Sequence, residues 1–197
     1  MSNTDFDEVI QVTKLLADYD RPWAICGGWA IDLFLNRVTR PHKDVDFAIL
    51  RKDQLIIQEY LLSRGWTLEK AINGQLVPWQ KSERIDLPIH TIWCKNPNAC
   101  PDFVELLFNE VDEGDFRFRR DTSIRRPIEK MIISSASGIP ILAPEIVLLY
   151  ISMNVEMLPY VGDFKNVLPH LSNEARDWLT TALKTLYTDH LWLEDLS

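Results

Sequence analysis

Apolar residues recur with helical spacing at Phe6, Val9, Ile10, Leu16 and Ala17, after Thr4, a residue suited to a helix N-cap. This predicts a first helix ending near Tyr19 and Asp20, with Pro22 as its breaker. A short apolar run, Trp23-Ala24-Ile25-Cys26, stops at Gly27-Gly28, and helical spacing resumes through Trp29, Ala30, Leu33 and Phe34. A polar loop over 37–43 contains Pro41, and residues 44–50 then read as a strand. Asp53 is placed to cap a helix through Leu55, Ile56, Tyr60 and Leu61 that stops at Gly65. From there the period changes. Short β-like runs at 66–71, 75–79, 85–93, 103–109 and 116–119 are separated by turn residues, with Asn73-Gly74 a strong hairpin signal. Pro144 suits the first turn of a helix through Leu148, Leu149, Tyr150 and Met153. Ser172 caps a last helix whose apolar stripe is Ala175, Trp178, Leu179, Ala182, Leu183, Leu186 and Tyr187. The pattern predicts an α+β fold: a small mixed or antiparallel sheet with flanking helices over 1–128, then a helical part over 129–197. The join falls between 126 and 143.

The chain has 197 residues, 46% hydrophobic and 25% charged, enough for one full core and a small appendix. No apolar run reaches the roughly 18 residues of a membrane span. The longest candidate, 139–151, is interrupted by Pro140, Pro144 and Glu145. The polar, acidic N-terminus does not read as a signal peptide. Cys26, Cys94 and Cys100 show no two-residue spacing of a metal or redox pair, and an odd count argues against a disulfide framework. A reducing, cytoplasmic setting is expected. The net charge of −8 argues against nucleic acid as a broad partner, because neutralising phosphates needs basic surface. It leaves open a cationic small substrate or plain solubility.

Asp44 and Asp46 are two apart on a predicted strand, so both side chains are expected on one face at its start, beside a loop. Two carboxylates held that close repel unless a cation lies between them. Mg²⁺ takes one or two carboxylates and completes its shell with water and substrate phosphates. Alone, Asp-x-Asp also fits a solvated turn. Gly27-Gly28 lies between an apolar run and a helix start, where a bare backbone and a helix N-terminus can receive a phosphate. Alone, Gly-Gly is a tight turn. Together, Gly-Gly, one helix and Asp-x-Asp on the next strand place a phosphate cradle beside a metal site.

The stretches Gly27-Gly28-Trp29-Ala30-Ile31-Asp32-Leu33-Phe34-Leu35 and Thr39-Arg40-Pro41-His42-Lys43-Asp44-Val45-Asp46 closely resemble the antibiotic nucleotidyltransferases. These are the aminoglycoside 2″-adenylyltransferases and lincosamide nucleotidyltransferases of the DNA polymerase β-like superfamily. The likeness is dense over 23–50 and looser beyond. It implies a polymerase β-like core and transfer of a nucleoside monophosphate from an NTP, with ATP the expected donor. The implied acceptor is a hydroxyl of a small molecule, such as an aminoglycoside- or lincosamide-like antibiotic. Mg²⁺ would be held by Asp44 and Asp46, and the nucleotide by Gly27, Gly28, Arg40 and His42; a solvated loop is the competing reading of Arg40 and His42. The resemblance also implies a third carboxylate, metal ligand or general base, on a neighbouring strand. Glu105, embedded in the apolar run Phe103-Val104-Glu105-Leu106-Leu107-Phe108, is preferred. Asp86, in a run broken by Pro88, is the alternative, and a glutamate here departs from the family's aspartate. Asp32 is expected to brace the local loop.

The resemblance leaves room for a protein or tRNA acceptor in a toxin–antitoxin-type system, or for a non-catalytic nucleotide-binding homologue. A monomer or homodimer is expected. Among other features, the basic run Arg117, Arg119, Arg120, Arg125 and Arg126 can neutralise phosphate or pair with Asp112, Glu113, Asp115 and Asp121, the pairing being preferred. Trp66, Trp79, Trp93, Trp178 and Trp192 are mostly core candidates. His90, His170 and His190 have no ligand-like spacing. Related chains, as the resemblance suggests, carry a Lys shortly before an Asp-Phe pair in the C-terminal helices; here Asp163-Phe164 is present and that Lys is not.

Overall fold

The parallel pairing of two strands organises the molecule, whose computed structural model describes residues 6–196. Strand β2 (Asp46–Leu50) lies beside β6 (Phe103–Asp112), Asp46 opposite Glu105 and Leu50 opposite Asn109. Four of the five β2 residues, Phe47 to Leu50, are buried, as expected of a strand covered on both faces. On one side of this pair, β1 (Trp23–Ile25) runs antiparallel to β2, and β10 (Pro140–Leu142) and β9 (Ile132–Ser134) extend the sheet past it. On the other side come β5 (Thr91–Lys95), β3 (Thr67–Ile72) and the exposed edge strand β4 (Gln75–Pro78). A small ribbon, β7 (Asp115–Arg117) with β8 (Arg125–Pro127), continues from the end of β6. Helices α1 (Asp7–Leu15), α2 (Gly27–Leu35) and α3 (Gln54–Leu62) belong to the sheet-bearing part. Helices α4 (Pro144–Ile151), α5 (Leu158–Val167), α6 (Asn173–Leu186) and α7 (Trp192–Leu196) follow it. The fold is α+β with a mixed sheet.

Local chemistry accounts for most boundaries. Asn73 and Gly74 both adopt positive φ (49° and 75°), as the tight turn joining β3 to β4 requires. Pro144 sits in the first turn of α4, and Ser172 Oγ accepts from Ala175 N at 3.2 Å to cap α6. Along α6, Ala175, Leu179, Ala182 and Leu183 are buried, following the apolar stripe. Phe164 of α5 stacks on Trp192 of α7 with centroids 4.2 Å apart. No helix among the described residues is long and apolar enough to cross a membrane.

Several expectations shift. Thr4 lies outside the described residues, and α1 ends at Leu15, short of Tyr19-Asp20. Asp53 occupies the N-cap position of α3 without a side-chain cap bond. Of the run 85–93 only its end is strand, because the chain around Pro88 is irregular. Asp44 precedes the strand that begins at Asp46. Strands β9 and β10 lie beyond residue 128 yet pair into the main sheet, so the wholly helical part begins at Pro144.

Candidate active site

The C-terminal end of β1 and the start of β2 meet at Cys26, whose N–H donates to Asp46 O at 2.9 Å. Helix α2 starts at the next residue, so its N-terminus opens beside the Asp46 carboxylate. Gly27 has φ of 61°, and a Cβ there would collide with Asp46 Oδ2. A Cβ on Gly28 would lie 2.5 Å from His42 Cε1 and 2.6 Å from His42 Nδ1, and against Arg40 Nη2. The two glycines therefore make room for the site's own side chains.

Those side chains are pinned from behind. Buried Asp32 of α2 accepts from Thr39 N (3.1 Å), Thr39 Oγ1 (2.5 Å) and His42 Nε2 (2.6 Å). This fixes the His42 tautomer: with Nε2–H donated to Asp32, Nδ1 accepts from Arg40 Nη1 at 3.1 Å. The His42 ring packs against Trp29, centroids 4.4 Å apart. Arg40 in turn makes a two-pronged pair with Asp163 of α5, Nε to Oδ1 at 3.1 Å and Nη2 to Oδ2 at 2.9 Å. The loop between α2 and β2 is thus held by one buried carboxylate from its own helix and one from the C-terminal helices.

A cleft of about 480 Å³ lies between the sheet and α2, α4 and α5. Gly27, Gly28, Arg40, His42, Asp44 and Asp46 all line it. Glu105 stands directly across the β2–β6 register from Asp46, at the roughly 5 Å spacing of adjacent strands. It is not on the cleft wall, but Leu107, two residues on and on the same face, is. Asp86 is exposed and lines a separate depression with Arg84 and Glu110.

The acids repel one another. Burial, then Glu105 and Asp44, push Asp46 up to about 8, with Arg40 opposing. Burial and Asp44 also raise Glu105 above the ordinary carboxylate range. Among the described residues no three His, Cys, Asp or Glu side chains gather closely enough to hold an ion alone. The donor set is a two-carboxylate half-shell with a third acid beside it. That fits Mg²⁺, which keeps several positions for water and phosphate oxygens.

The sequence profile of the aminoglycoside-2″-adenylyltransferase family matches residues 8–137, well over half of the chain and all of the loop just described. The chain belongs to the aminoglycoside-2″-adenylyltransferase family. The solution structure of the antibiotic-resistance factor ANT(2″)-Ia, 14% identical, covers 95% of each chain with a TM-score of 0.61. A crystal structure of ANT(2″)-Ia with adenylyl-2″-tobramycin is 12% identical and covers 98% of this chain and 95% of that one, with a TM-score of 0.54. The lincosamide antibiotic adenylyltransferase LnuA, lincomycin-bound, is 16% identical and covers 84% of this chain and 98% of its own, with a TM-score of 0.58. At these identities the neighbours show a shared nucleotidyltransferase fold. No curated protein sequence matches the chain.

Within this family member, three features of the cleft escape a reading of the sequence. Asp163, of the Asp-Phe pair, is the partner of Arg40, 123 residues away. The basic run divides: Arg117 pairs with Asp112, Arg125 reaches Glu113 at 3.8 Å and Arg126 reaches Glu145 at 2.5 Å, while Arg119 and Arg120 line the cleft. His90 and Asn109 join them there, and Tyr150 of α4 donates to Asn109 Oδ1 at 3.1 Å. No Lys shortly precedes Asp163 here, as the sequence shows; among the described residues the cations lining the cleft are Arg40, Lys43, Arg119 and Arg120, beside His42 and His90. Of the tryptophans, only Trp29 lines the cleft, while Trp66, Trp79 and Trp192 are buried in the core.

Proposed function

We propose that the protein transfers a nucleoside monophosphate, AMP from ATP, to a hydroxyl of a small molecule in a Mg²⁺-dependent reaction. The observation that carries this is the convergence of Asp44, Asp46 and the α2 N-terminus on one cleft, within a family whose members are nucleotidyltransferases. Mg²⁺, when bound, supplies charge neutralisation and a template for the phosphates. Asp44 and Asp46 hold it. The N–H groups at the start of α2 face the phosphate region, and the helix dipole favours negative charge there. Arg40 and His42, immobilised by Asp163 and Asp32, present a fixed rim that costs no reordering when nucleotide arrives.

Glu105 is the proposed base. The raised proton affinity that burial and Asp44 impose suits a group that must accept a proton near neutral pH. It takes the acceptor hydroxyl proton as that oxygen bonds to the α-phosphorus and the bond to the pyrophosphate oxygen breaks. The test is pyrophosphate release from each NTP with Mg²⁺, screened against hydroxyl-bearing small molecules, for wild type and Asp44→Asn. Turnover in wild type and its loss in the variant are expected; activity of Asp44→Asn within threefold of wild type would remove the metal assignment.

A further inference from the structure

The register across the sheet sets four side chains in one row. Asp46 of β2 lies opposite Glu105 of β6, Glu105 opposite Trp93 of β5, and Trp93 opposite Glu69 of β3. Directly paired residues project from the same face. Burial alternates accordingly. Leu68, Cys94, Val104 and Leu106, neighbours in the chain that point the other way, are buried in the core, whereas Glu69, Trp93, Glu105 and Asp46 are each only partly covered. At the spacing of adjacent strands the backbones of Glu105 and Glu69 are about 10 Å apart, with Trp93 between them.

Trp93 is unlike the six other tryptophans. Those are buried in the core or packed against it, whereas Trp93 and its neighbour Phe103 belong to neither group. Their rings pack edge to face, centroids 5.2 Å apart, on the face that carries Glu105. The chain itself shows what chemistry this surface holds. Lys95 Nζ lies 5.4 Å from the centroid of the Trp93 ring and donates to Glu69 Oε2 at 2.7 Å. An ammonium on an aromatic face beside a carboxylate is a general mode of amine recognition. Here a flexible side chain that is 43% exposed supplies the ammonium, and an exposed ion pair of this kind contributes little to stability. Lys95 can therefore be displaced. On the other side of Trp93, the Glu105 carboxylate makes no hydrogen bond or ion pair among the described residues.

The row thus runs from the acids at the start of β2, through an open indole, to a carboxylate that already holds an amine. We propose that Trp93 is the platform for the acceptor, and that the acceptor presents an amino sugar there. The C–H face of the sugar lies on the indole, its ammonium takes the place of Lys95 on Glu69, and a hydroxyl reaches Glu105. A substituted six-membered ring about 6 Å across, with a hydrogen bond of about 2.8 Å at either end, matches the spacing of the two acids. This rests on the reading of the cleft as a nucleotidyl-transfer site with Glu105 as its base.

The test uses the full chain and three probes: methyl 2-amino-2-deoxy-β-D-glucopyranoside (hydroxyls and ammonium), methyl β-D-glucopyranoside (hydroxyls alone) and cyclohexylamine (ammonium alone). Affinities are measured by ligand-observed NMR. The place of binding is read from the indole N–H resonances, Trp93 being the one missing from Trp93→Phe. Binding of α,β-methylene-ATP with Mg²⁺ is measured in parallel. The amino sugar should shift the Trp93 resonance and bind about tenfold more tightly than either other probe. Trp93→Ala should weaken it about tenfold and Trp93→Phe about threefold, while Glu69→Gln should bring the two glycosides level. Analogue affinity should stay within about twofold in all three variants. Lys95→Gln should tighten amino-sugar binding about threefold, because the competing ammonium is gone; a purely structural pair would give no such gain. If Trp93→Ala loses its melting transition, the other three variants decide. No shift of the Trp93 resonance at millimolar amino sugar, or unchanged or weaker binding in Lys95→Gln, overturns the proposal. So does a tenfold loss of analogue affinity in Trp93→Ala, which would assign the indole to the nucleotide. If wild type fails to bind the analogue, the nucleotidyl-transfer reading fails, while the Trp93 shift and the response to Lys95→Gln still report on the platform.

Discussion

Replacing Asp46 with asparagine should stabilise the metal-free fold while abolishing transfer, and the stabilisation should grow with pH. In the folded chain Asp46 titrates near 8, well above its ordinary 3.8. The fold therefore retains a proton that the unfolded chain has released. From about pH 4 upward the ionised carboxylate is penalised in the native state, and this penalty increases until the native group itself ionises near pH 8. Stability of the metal-free protein should fall over that window. Between pH 5 and pH 8 the change is three pH units at about 1.4 kcal/mol each, an upper bound of about 4 kcal/mol. Water entering the open cleft lowers this, and about 2 kcal/mol is expected. Asparagine carries no charge and removes the penalty. At about 2–4 °C per kcal/mol for a chain of this size, the Tm advantage of Asp46→Asn over wild type should widen by about 4–8 °C between pH 5 and pH 8 in EDTA. The assay is thermal melting of both proteins at pH 5, 6.5 and 8, repeated with Mg²⁺. The ion should raise the wild-type Tm at pH 8 more than that of the variant, because it neutralises the same repulsion. A variant less stable than wild type at pH 8, or a gap that does not change with pH, would refute the electrostatic account of this corner.

Glu105→Gln should reduce turnover at least 100-fold, the usual contribution of a general base, and leave nucleotide-analogue affinity within about twofold; single-turnover kinetics and calorimetry separate the two. Gly28→Ala should weaken nucleotide binding about tenfold and lower Tm, since its Cβ would displace Arg40 and His42, both of which are tethered; unchanged affinity would leave the glycine a simple turn. Asp163→Asn removes one prong and the charge of the Arg40 pair, and should cost about 1–3 kcal/mol in denaturant melts while raising the KM for nucleotide.

What could be read from the chain follows how local the determinants are. Gly27, Gly28, Arg40, His42, Asp44 and Asp46 fall within 20 consecutive residues, and the same residues line one cleft. The α6 cap and the Asn73-Gly74 turn were legible because each depends on side chains a few positions apart. Asp44 was misplaced because Asp-Val-Asp has strand periodicity whether or not its first residue pairs, and only pairing decides. Strands β9 and β10 have three residues each, too short for a period to declare itself. The basic run gave no sign that two of its five arginines face the cleft. That division depends on Glu145 and Asp112 reaching some of them and on Tyr150 supporting the others.

The position of Asp163 joins the fold to the proposed chemistry. Arg40 is only partly buried, and a guanidinium on an exposed loop would ordinarily sample many rotamers at a substantial entropy cost on binding. Asp163, almost fully buried on α5, fixes it with two hydrogen bonds, and buried Asp32 fixes His42 with one. The proposed rim of the phosphate region therefore takes its geometry from a helix that also lines the cleft through Tyr160 and Pro159. In the proposed reading, Asp163 ties α5 to Arg40, and Arg40 is hydrogen-bonded in turn to His42. Gly28 is the point where this chain of contacts touches backbone, because the Arg40 guanidinium and the His42 ring occupy the volume that any larger residue would need. In the proposed reading, three side chains, Asp163, Arg40 and His42, link α5 to the phosphate region.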